Sequence, residues 1–151
     1  MSNPGELVEI LMADDDPDDR AMTREAFAEN FLANDLRFVE DGEELLDYLY
    51  RRGKYADPAA APWPSIILLD LNMPKKDGRE ALREIKAEPA LRQIPVVVMT
   101  TSRAEEDVFR SYDFGASSFI TKPVTFGGLI EVMRGLNRYW FEIVELPAEE
   151  D

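Results

Sequence analysis

Side chains that can do chemistry follow four of the short apolar runs in this sequence. They are Asp14, Asp15 and Asp16 after the first run, Asp70 after the third, Thr100 and Thr101 at the fourth, and Lys122 after the fifth. If these groups meet, the carboxylates repel one another, and burying them without partners is expensive. A divalent cation resolves that conflict. One carboxylate could then attack phosphorus to form an aspartyl phosphate, while the hydroxyl and ammonium groups hold the phosphoryl oxygens.

Two residue types are absent from the 151-residue chain, which contains neither Cys nor His. Their absence excludes disulfides, thiolate catalysis, Ser-His-Asp chemistry and metal sites built from thiolate or imidazole. Any metal must therefore be bound by oxygen, which favours Mg²⁺, Ca²⁺ or Mn²⁺.

The charge balance limits the partners of the chain. There are 17 basic and 31 acidic residues, a formal charge of −14, and 45% of the residues are hydrophobic. The hydrophobic fraction is enough for a folded core, whereas the negative charge disfavours nucleic acid and anionic membranes. The N-terminus lacks a basic segment typical of a signal peptide, and no apolar stretch is long enough to span a membrane. We therefore expect a cytoplasmic protein.

The elements that must position these side chains alternate along the chain. The short apolar runs are Leu7–Ala13, Leu36–Val39, Ile66–Leu69, Val96–Met99 and Phe119–Ile120. Helical patterns lie between and after them, at about Asp18–Phe31, Gly42–Arg52, Arg79–Ala87, Glu105–Phe114 and Thr125–Val144. In the first helix, Met22, Ala26 (or Phe27) and Phe31 lie near one face, which is the expected core face. Five strand–helix pairs predict a doubly wound α/β sheet of parallel strands, whose carboxyl ends form one ligand-binding edge.

Four strings, in order, resemble the motifs of the response-regulator receiver family. They are LMADDDPDD, LLDLNMPKKDG, VVVMTTS and FITKP, and the similarity extends from Leu7 to the last helix. Four ordered motifs, each at the end of a predicted strand, are a strong signal. The resemblance implies a flavodoxin-like, five-stranded sheet of order 2-1-3-4-5 with helices on both faces. We expect one domain over residues 1–151, with a core at about 6–138 and an extended helix and acidic tail at 139–151.

The resemblance also implies a role for each matching residue. Asp70 matches the phosphoacceptor, Thr100 the switch hydroxyl, Lys122 the lysine before proline, and Phe119 the aromatic switch position. Asp16 is an additional acid without an implied role.

The metal in such a site is Mg²⁺, or Mn²⁺ in its place. Asp15 and Asp70 would bind the metal directly, Asp14 through water, and Asn72 through its backbone carbonyl.

A narrower resemblance concerns the stand-alone regulators that are paired with phytochrome-type photoreceptor kinases. It rests on the loop before the third strand, on LLDLNMPKKDGREAL and on the ending YWFEIVELP. It implies a regulator that accepts a phosphoryl group from a histidine kinase and has no attached DNA-binding domain. Such a protein takes one phosphoryl group per chain and is not a multiple-turnover enzyme. Whether it is an output regulator or a phosphate sink stays open.

Simpler interpretations exist for the same residues. Asp14–Asp16 could cap the first helix, Asp70 could be a turn residue, and the threonines could be ordinary strand residues. Another class with an Asp nucleophile is the haloacid-dehalogenase type of phosphohydrolase. That class needs a second carboxylate two residues later, where this chain has Asn72. A flavodoxin needs a phosphate loop of Gly, Ser and Thr after the first strand, where this chain has three aspartates.

The end of the last helix predicts a homodimer. Its apolar residues exceed what one core-facing stripe needs, and a contiguous exposed patch of this kind usually marks an interface. The residues assigned to the dimer are Tyr139, Trp140, Phe141, Val144 and Leu146. The alternative is that this segment folds back over the Gly53–Pro64 loop, against Tyr55 and Trp63.

Overall fold

Five parallel strands form a single sheet in the order β2-β1-β3-β4-β5. The computed structural model describes residues 8–30, 34–73, 75–100 and 118–121. The strands are β1 (Val8–Ala13), β2 (Asn34–Val39), β3 (Ile66–Asp70), β4 (Val96–Thr100) and β5 (Ser118–Thr121). The expected flavodoxin-like order is confirmed.

The central strands are apolar because both of their faces are covered. Every residue of β3 and of β4 is buried. Alternate residues of a strand point to opposite faces. Leu68 and Leu69 on β3 therefore lie on different faces, and both are 0% exposed. Continuous apolar runs are what a parallel sheet between two layers requires.

Three helices are described: α1 (Pro17–Asn30), α2 (Gly42–Tyr50) and α3 (Gly78–Ala87). α2 and α3 contact each other, and their leucines and isoleucine join one core cluster with β1, β3 and β4. The predicted α2 ran to Arg52, but the helix ends at Tyr50. Arg51 adopts the left-handed conformation, with φ of 55°, and so ends the helix as its C-cap.

The predicted core face of α1 is wrong at one position. Met22 is 45% exposed, whereas the neighbouring Thr23 is 2% exposed. The Thr23 hydroxyl donates a hydrogen bond to the Asp19 carbonyl oxygen, 2.9 Å away. A threonine bonded in this way can be buried at low cost, so the apolar pattern alone favoured Met22 where Thr23 is buried.

The segment Gly53–Pro64, expected to be a surface loop, is anchored on α2. It contains two short 3-10 turns, Gly53–Tyr55 and Pro58–Ala60. The Tyr48 hydroxyl donates to the Pro62 carbonyl at 2.8 Å, and Arg51 Nε donates to the Ala61 carbonyl at 3.2 Å. Ala61 itself is 1% exposed within the core. The loop is therefore packed at its end, although Trp63 stays 46% exposed.

Several expectations lie outside the described residues. They are the helices predicted at Glu105–Phe114 and Thr125–Val144 and the extended C-terminal segment at 139–151. Within the described ranges, no helix has the length and apolar character needed to cross a membrane.

Candidate cation and phosphoacceptor site

The sheet brings three of the predicted site residues to one edge. Asp14 directly follows β1, Asp70 is the last residue of β3, and Thr100 is the last residue of β4. β3 pairs with both β1 and β4, so these strand ends are neighbours. The carboxyl ends of parallel strands are where open α/β sheets bind ligands.

Three carboxylates converge at this edge. Asp14, Asp15 and Asp70 each offer an oxygen, and these oxygens lie within 4.8 Å of one another. Asp14 is 0% exposed and Asp70 is 2% exposed, whereas Asp15 is exposed. Two buried acids next to a third form a set of hard oxygen donors whose mutual repulsion a divalent cation would relieve. The cluster fits a divalent metal site.

The turn after β1 holds Asp14 by its backbone and by its side chain. The Asp14 N–H donates to the Val39 carbonyl at 3.0 Å, and Asp14 Oδ1 accepts from the Asp16 N–H at 2.9 Å. Asp16 in turn accepts from the Asp18 N–H at 2.9 Å, at the start of α1. Helix capping is therefore the role of Asp16, while the buried Asp14 faces the carboxylate cluster.

The loop after β3 is ordered by contacts at both of its ends. The Asn72 N–H donates to Asp70 Oδ1 at 3.1 Å, and Asn72 is exposed. The Gly78 N–H donates to the Leu71 carbonyl at 2.9 Å. A Cβ on Gly78 would lie 2.7 Å from Leu71 Cα and would collide with the Asp70 carbonyl. Only glycine lets α3 begin this close to the acid.

Thr100, at the end of β4, brings a hydroxyl to the same sheet edge as the three carboxylates. Its Oγ1 is buried and has no hydrogen-bond partner among the residues that the structure describes. Phe119 on β5 pairs with Val98 on β4 and packs half-buried against the core. Residues two apart on a strand share a face, so Thr100 and Phe119 lie on the same side of the sheet.

Other predicted residues lie outside the described part of the chain. They are Thr101, Lys122 and the proposed dimer residues Tyr139, Trp140, Phe141, Val144 and Leu146.

The structure adds residues that sequence reasoning missed. The Arg20 guanidinium donates to the Asp14 carbonyl at 2.6 Å. The sequence did contain a signal. A positive charge in the first turn of a helix is unfavourable because of the helix dipole, so an arginine there indicates a specific contact. Gly42 and Gly78 were missed as well, although each follows a helix-capping aspartate, Asp41 and Asp77.

Known proteins resemble this chain in both architecture and sequence. The model of the response regulator receiver domain matches residues 10–134. The chain belongs to that family. Receiver domains are phosphorylated on an aspartate by histidine kinases, and this chain is a signalling protein of that kind. The match removes the phosphohydrolase and flavodoxin alternatives.

Individual relatives cover almost all of this receiver. Response regulator Rcp1 of Synechocystis sp. is 40% identical over 147 residues, 97% of each chain. The phosphorylated cyanobacterial phytochrome response regulator RcpA has a crystal structure with a TM-score of 0.72 and 41% identity, covering 89% of this chain and 94% of that one. The Mn²⁺-bound form of Rcp1 has a TM-score of 0.71 and 38% identity, covering 91% and 96%. The resemblance to phytochrome-associated regulators is confirmed.

Proposed function

We propose that this receiver accepts a phosphoryl group on Asp70 from a histidine kinase, with Mg²⁺ held beside it. The observation that carries the proposal is the position of Asp70. It is 2% exposed at the end of β3, and its carboxylate lies within 4.8 Å of oxygens on Asp14 and Asp15. A divalent ion fits the oxygen-only donor set, and the Mn²⁺-bound form of the relative Rcp1 supports binding of such an ion.

Different groups of the chain have different roles in the proposed phosphoryl transfer. Asp15, Asp70 and the Asn72 carbonyl would hold the metal directly, and Asp14 would hold it through a water. When bound, the metal would supply positive charge that offsets the carboxylates and the incoming phosphoryl oxygens. An Asp70 oxygen forms the new bond to phosphorus as the bond from phosphorus to the kinase histidine nitrogen breaks, and the electron pair stays on that nitrogen. Thr100 Oγ1 and the Lys122 ammonium hold the transferred oxygens.

The signal follows from the added charge. A phosphoryl group on Asp70 gives the buried Thr100 hydroxyl an acceptor, which draws this side chain toward the acid. Phe119 lies on the same face of the neighbouring strand and moves into the space that Thr100 leaves. The surface around β4 and β5 is thereby repacked, and a partner protein reads the change.

Mass spectrometry after incubation with acetyl phosphate and Mg²⁺ tests the acceptor. We expect one phosphoryl group per chain in the wild type and none in Asp70→Asn. Asp16→Asn is the matched control, because Asp16 only caps α1 and asparagine caps a helix equally well. Labelling of Asp70→Asn would refute the assignment of the acceptor.

The partner kinase is of the phytochrome type. The relationship to RcpA, a phytochrome response regulator, supports this assignment. The net charge of −14 favours a protein rather than nucleic acid as the downstream target. Phosphotransfer from a panel of purified histidine kinases should be fastest from a photoreceptor kinase, and an equal rate from all of them would contradict this pairing.

Residues 139–151 extend the single receiver domain and build a homodimer through Tyr139, Trp140, Phe141, Val144 and Leu146. The apolar surface of these residues supports this proposal, since a symmetric pair would bury the same patch twice. Light scattering at micromolar concentration should give twice the mass of the 17.2 kDa chain. A monomer of unchanged mass after removal of residues 140–151 would leave the dimer without support.

A further inference from the structure

Arg20 lies in the first turn of α1, where a positive charge is disfavoured by the helix dipole. Its side chain does not extend into solvent. It turns back toward the sheet edge, where the guanidinium donates to the Asp14 carbonyl oxygen at 2.6 Å. Arg20 is half-buried, so this contact is part of the packed structure.

This contact completes the attachment of Asp14. The Asp14 N–H is bonded to the Val39 carbonyl on β2, and Oδ1 accepts from the Asp16 N–H. Asp14 is 0% exposed, and a buried carbonyl needs a donor. Arg20 supplies that donor, so the N–H, the carboxylate and the carbonyl of one residue are each held by a different group.

The orientation of the neighbouring acid follows from the same turn. Asp15 lies between Asp14 and Asp16 and is exposed, and its carboxylate must nevertheless reach the buried oxygens of Asp14 and Asp70. Backbone contacts on both sides of Asp15 restrict where its side chain can point. Groups that orient metal ligands without touching the metal commonly change affinity tenfold or more.

We propose that Arg20 is a positioning residue for the cation site, because it fixes the turn that carries Asp14 and Asp15. The proposal rests on the proposed function, in which this cluster binds Mg²⁺. Arg20 touches neither the metal nor the phosphoryl group, and it acts through the Asp14 carbonyl.

Arg20 has two opposite effects on the affinity for Mg²⁺, so the direction of the measured change shows which effect dominates. Its positive charge repels a cation, so removing the charge alone would tighten Mg²⁺ binding. Loss of the hydrogen bond would loosen the turn and weaken binding. The charge effect is screened in a half-exposed site, whereas ligand orientation accounts for about 10- to 100-fold in affinity. We therefore expect positioning to dominate.

The test is the Mg²⁺ dissociation constant of the full chain, measured by calorimetry at constant ionic strength. Arg20→Met should bind Mg²⁺ about tenfold more weakly than the wild type. Arg24→Met is the matched control: it removes the same charge from the same helix, but the Arg24 guanidinium lies 4.7 Å over the Phe38 ring. Equal or tighter binding by Arg20→Met relative to Arg24→Met overturns the proposal.

A second pair of variants retains the charge. Arg20→Lys keeps a long cationic donor and should recover at least half of the lost affinity on a logarithmic scale. A lysine variant no better than methionine would contradict the role of the donor. Should Arg20→Met fail to fold without metal, Arg20→Lys compared with Arg24→Lys carries the same test, with the weaker Mg²⁺ binding expected in Arg20→Lys.

Melting temperatures in chelator separate positioning from ordinary stabilisation. A purely structural Arg20 would lower the melting temperature without changing the Mg²⁺ dissociation constant, and that result overturns the proposal. A wild-type chain that binds no Mg²⁺ would instead refute the proposed metal site itself. The two failures are therefore distinguishable.

Discussion

The Thr100 hydroxyl is buried at the end of β4 with no hydrogen-bond partner in the described ranges. Burying an unbonded hydroxyl costs about 1–3 kcal/mol in proteins. A phosphoryl oxygen on Asp70 would be the missing acceptor. If Asp70 is the phosphoacceptor, as proposed, the Thr100 hydroxyl gains this partner only on phosphorylation.

We predict that Thr100→Val leaves folding intact and removes the response. Valine has the same shape without the hydroxyl, so the free energy of unfolding should stay equal or rise by about 1 kcal/mol. We expect phosphorylation to raise the free energy of unfolding of the wild type, and this increase should disappear in Thr100→Val. Urea unfolding with and without acetyl phosphate measures both effects.

Thr23→Val is the control for this prediction. Thr23 is also a buried threonine, but its hydroxyl is bonded to the Asp19 carbonyl. Its replacement should cost about 1 kcal/mol. If Thr100→Val were destabilising to the same extent, the Thr100 hydroxyl would have a partner in the resting protein.

At the scale of elements, α2 and α3 begin in the same way on either side of the β3–α3 loop. Asp41 and Asp77 cap the two helices, and a glycine follows each of them. A Cβ on Gly42 would lie 2.8 Å from Lys76 Cβ and would collide with the Lys76 carbonyl. The loop that carries Asn72 is therefore held between two helix starts.

Gly78→Ala should be strongly destabilising. The added methyl group would meet the backbone of Asp70 and Leu71, and overpacking of this kind costs about 1–3 kcal/mol. The displacement of Asp70 should also slow labelling by acetyl phosphate. Chemical denaturation and labelling rates measure the two effects.

Gly53→Ala controls for backbone strain alone. Gly53 has φ of 58°, and nothing lies within 4 Å of an added Cβ, so the cost should be about 1 kcal/mol with normal labelling. Equal effects of the two substitutions would show that close packing at Gly78 does not matter.

Glu44 ties α2 to the segments on both of its sides. Its carboxylate accepts from the Tyr55 hydroxyl at 2.6 Å and from the Glu40 N–H at 2.7 Å, and Lys54 lies 3.0 Å away. Burial raises the pKa of Glu44, but these three donors outweigh burial and bring the pKa below its ordinary value of 4.5. Burial and the bond to Glu44 raise the pKa of Tyr55.

Tyr55→Phe should destabilise the fold in a pH-dependent way. A depressed carboxylate pKa contributes stability above pH 4.5, and this contribution is lost as the pH falls through the folded pKa. Removing one donor should cost about 1.5 kcal/mol at pH 7, and the difference from wild type should shrink below pH 4.5.

Tyr48→Phe is the matched control, because the Tyr48 hydroxyl donates to the Pro62 carbonyl, which does not titrate. The loss in free energy of unfolding of Tyr48→Phe should be the same at pH 7 and at pH 4. Urea unfolding at pH 7 and pH 4 compares the two variants. A pH-independent effect of Tyr55→Phe would argue against the role of Glu44.

For the whole molecule, the charge of −14 opposes compaction. Salt screens this repulsion, whereas Mg²⁺ should also bind at a defined site. We predict that Mg²⁺ raises the melting temperature more than NaCl of equal ionic strength does. At a hundredfold excess over the dissociation constant, binding contributes about 2.7 kcal/mol.

Asp15→Asn should abolish the extra stabilisation by Mg²⁺, whereas Asp18→Asn should retain it. Both remove one exposed acid near the start of α1, but only Asp15 belongs to the carboxylate cluster. Melting temperatures of both variants, measured with Mg²⁺ and with NaCl of equal ionic strength, test this prediction. Equal stabilisation by Mg²⁺ and NaCl in the wild type would contradict a specific cation site.

The sequence by itself determined the elements and the positions of the acids along the chain. Strands buried on both faces must be continuously apolar, so the runs Ile66–Leu69 and Val96–Met99 were visible as strands. The starts of the three described helices were predicted to within one residue, since the capping aspartate and the helical period are both local. Fold order came from the family resemblance, because neighbouring strands in the sheet need not be neighbours in sequence.

The tertiary structure decided how those residues are held. Arg20 reaching the Asp14 carbonyl, Gly42 lying against Lys76, and the burial of Thr23 in place of Met22 depend on contacts between elements. Local pattern carries the preference of a segment for helix or strand and for an apolar face. It does not carry the direction of a side chain toward a group that only folding brings near, and that direction is what assembles the site.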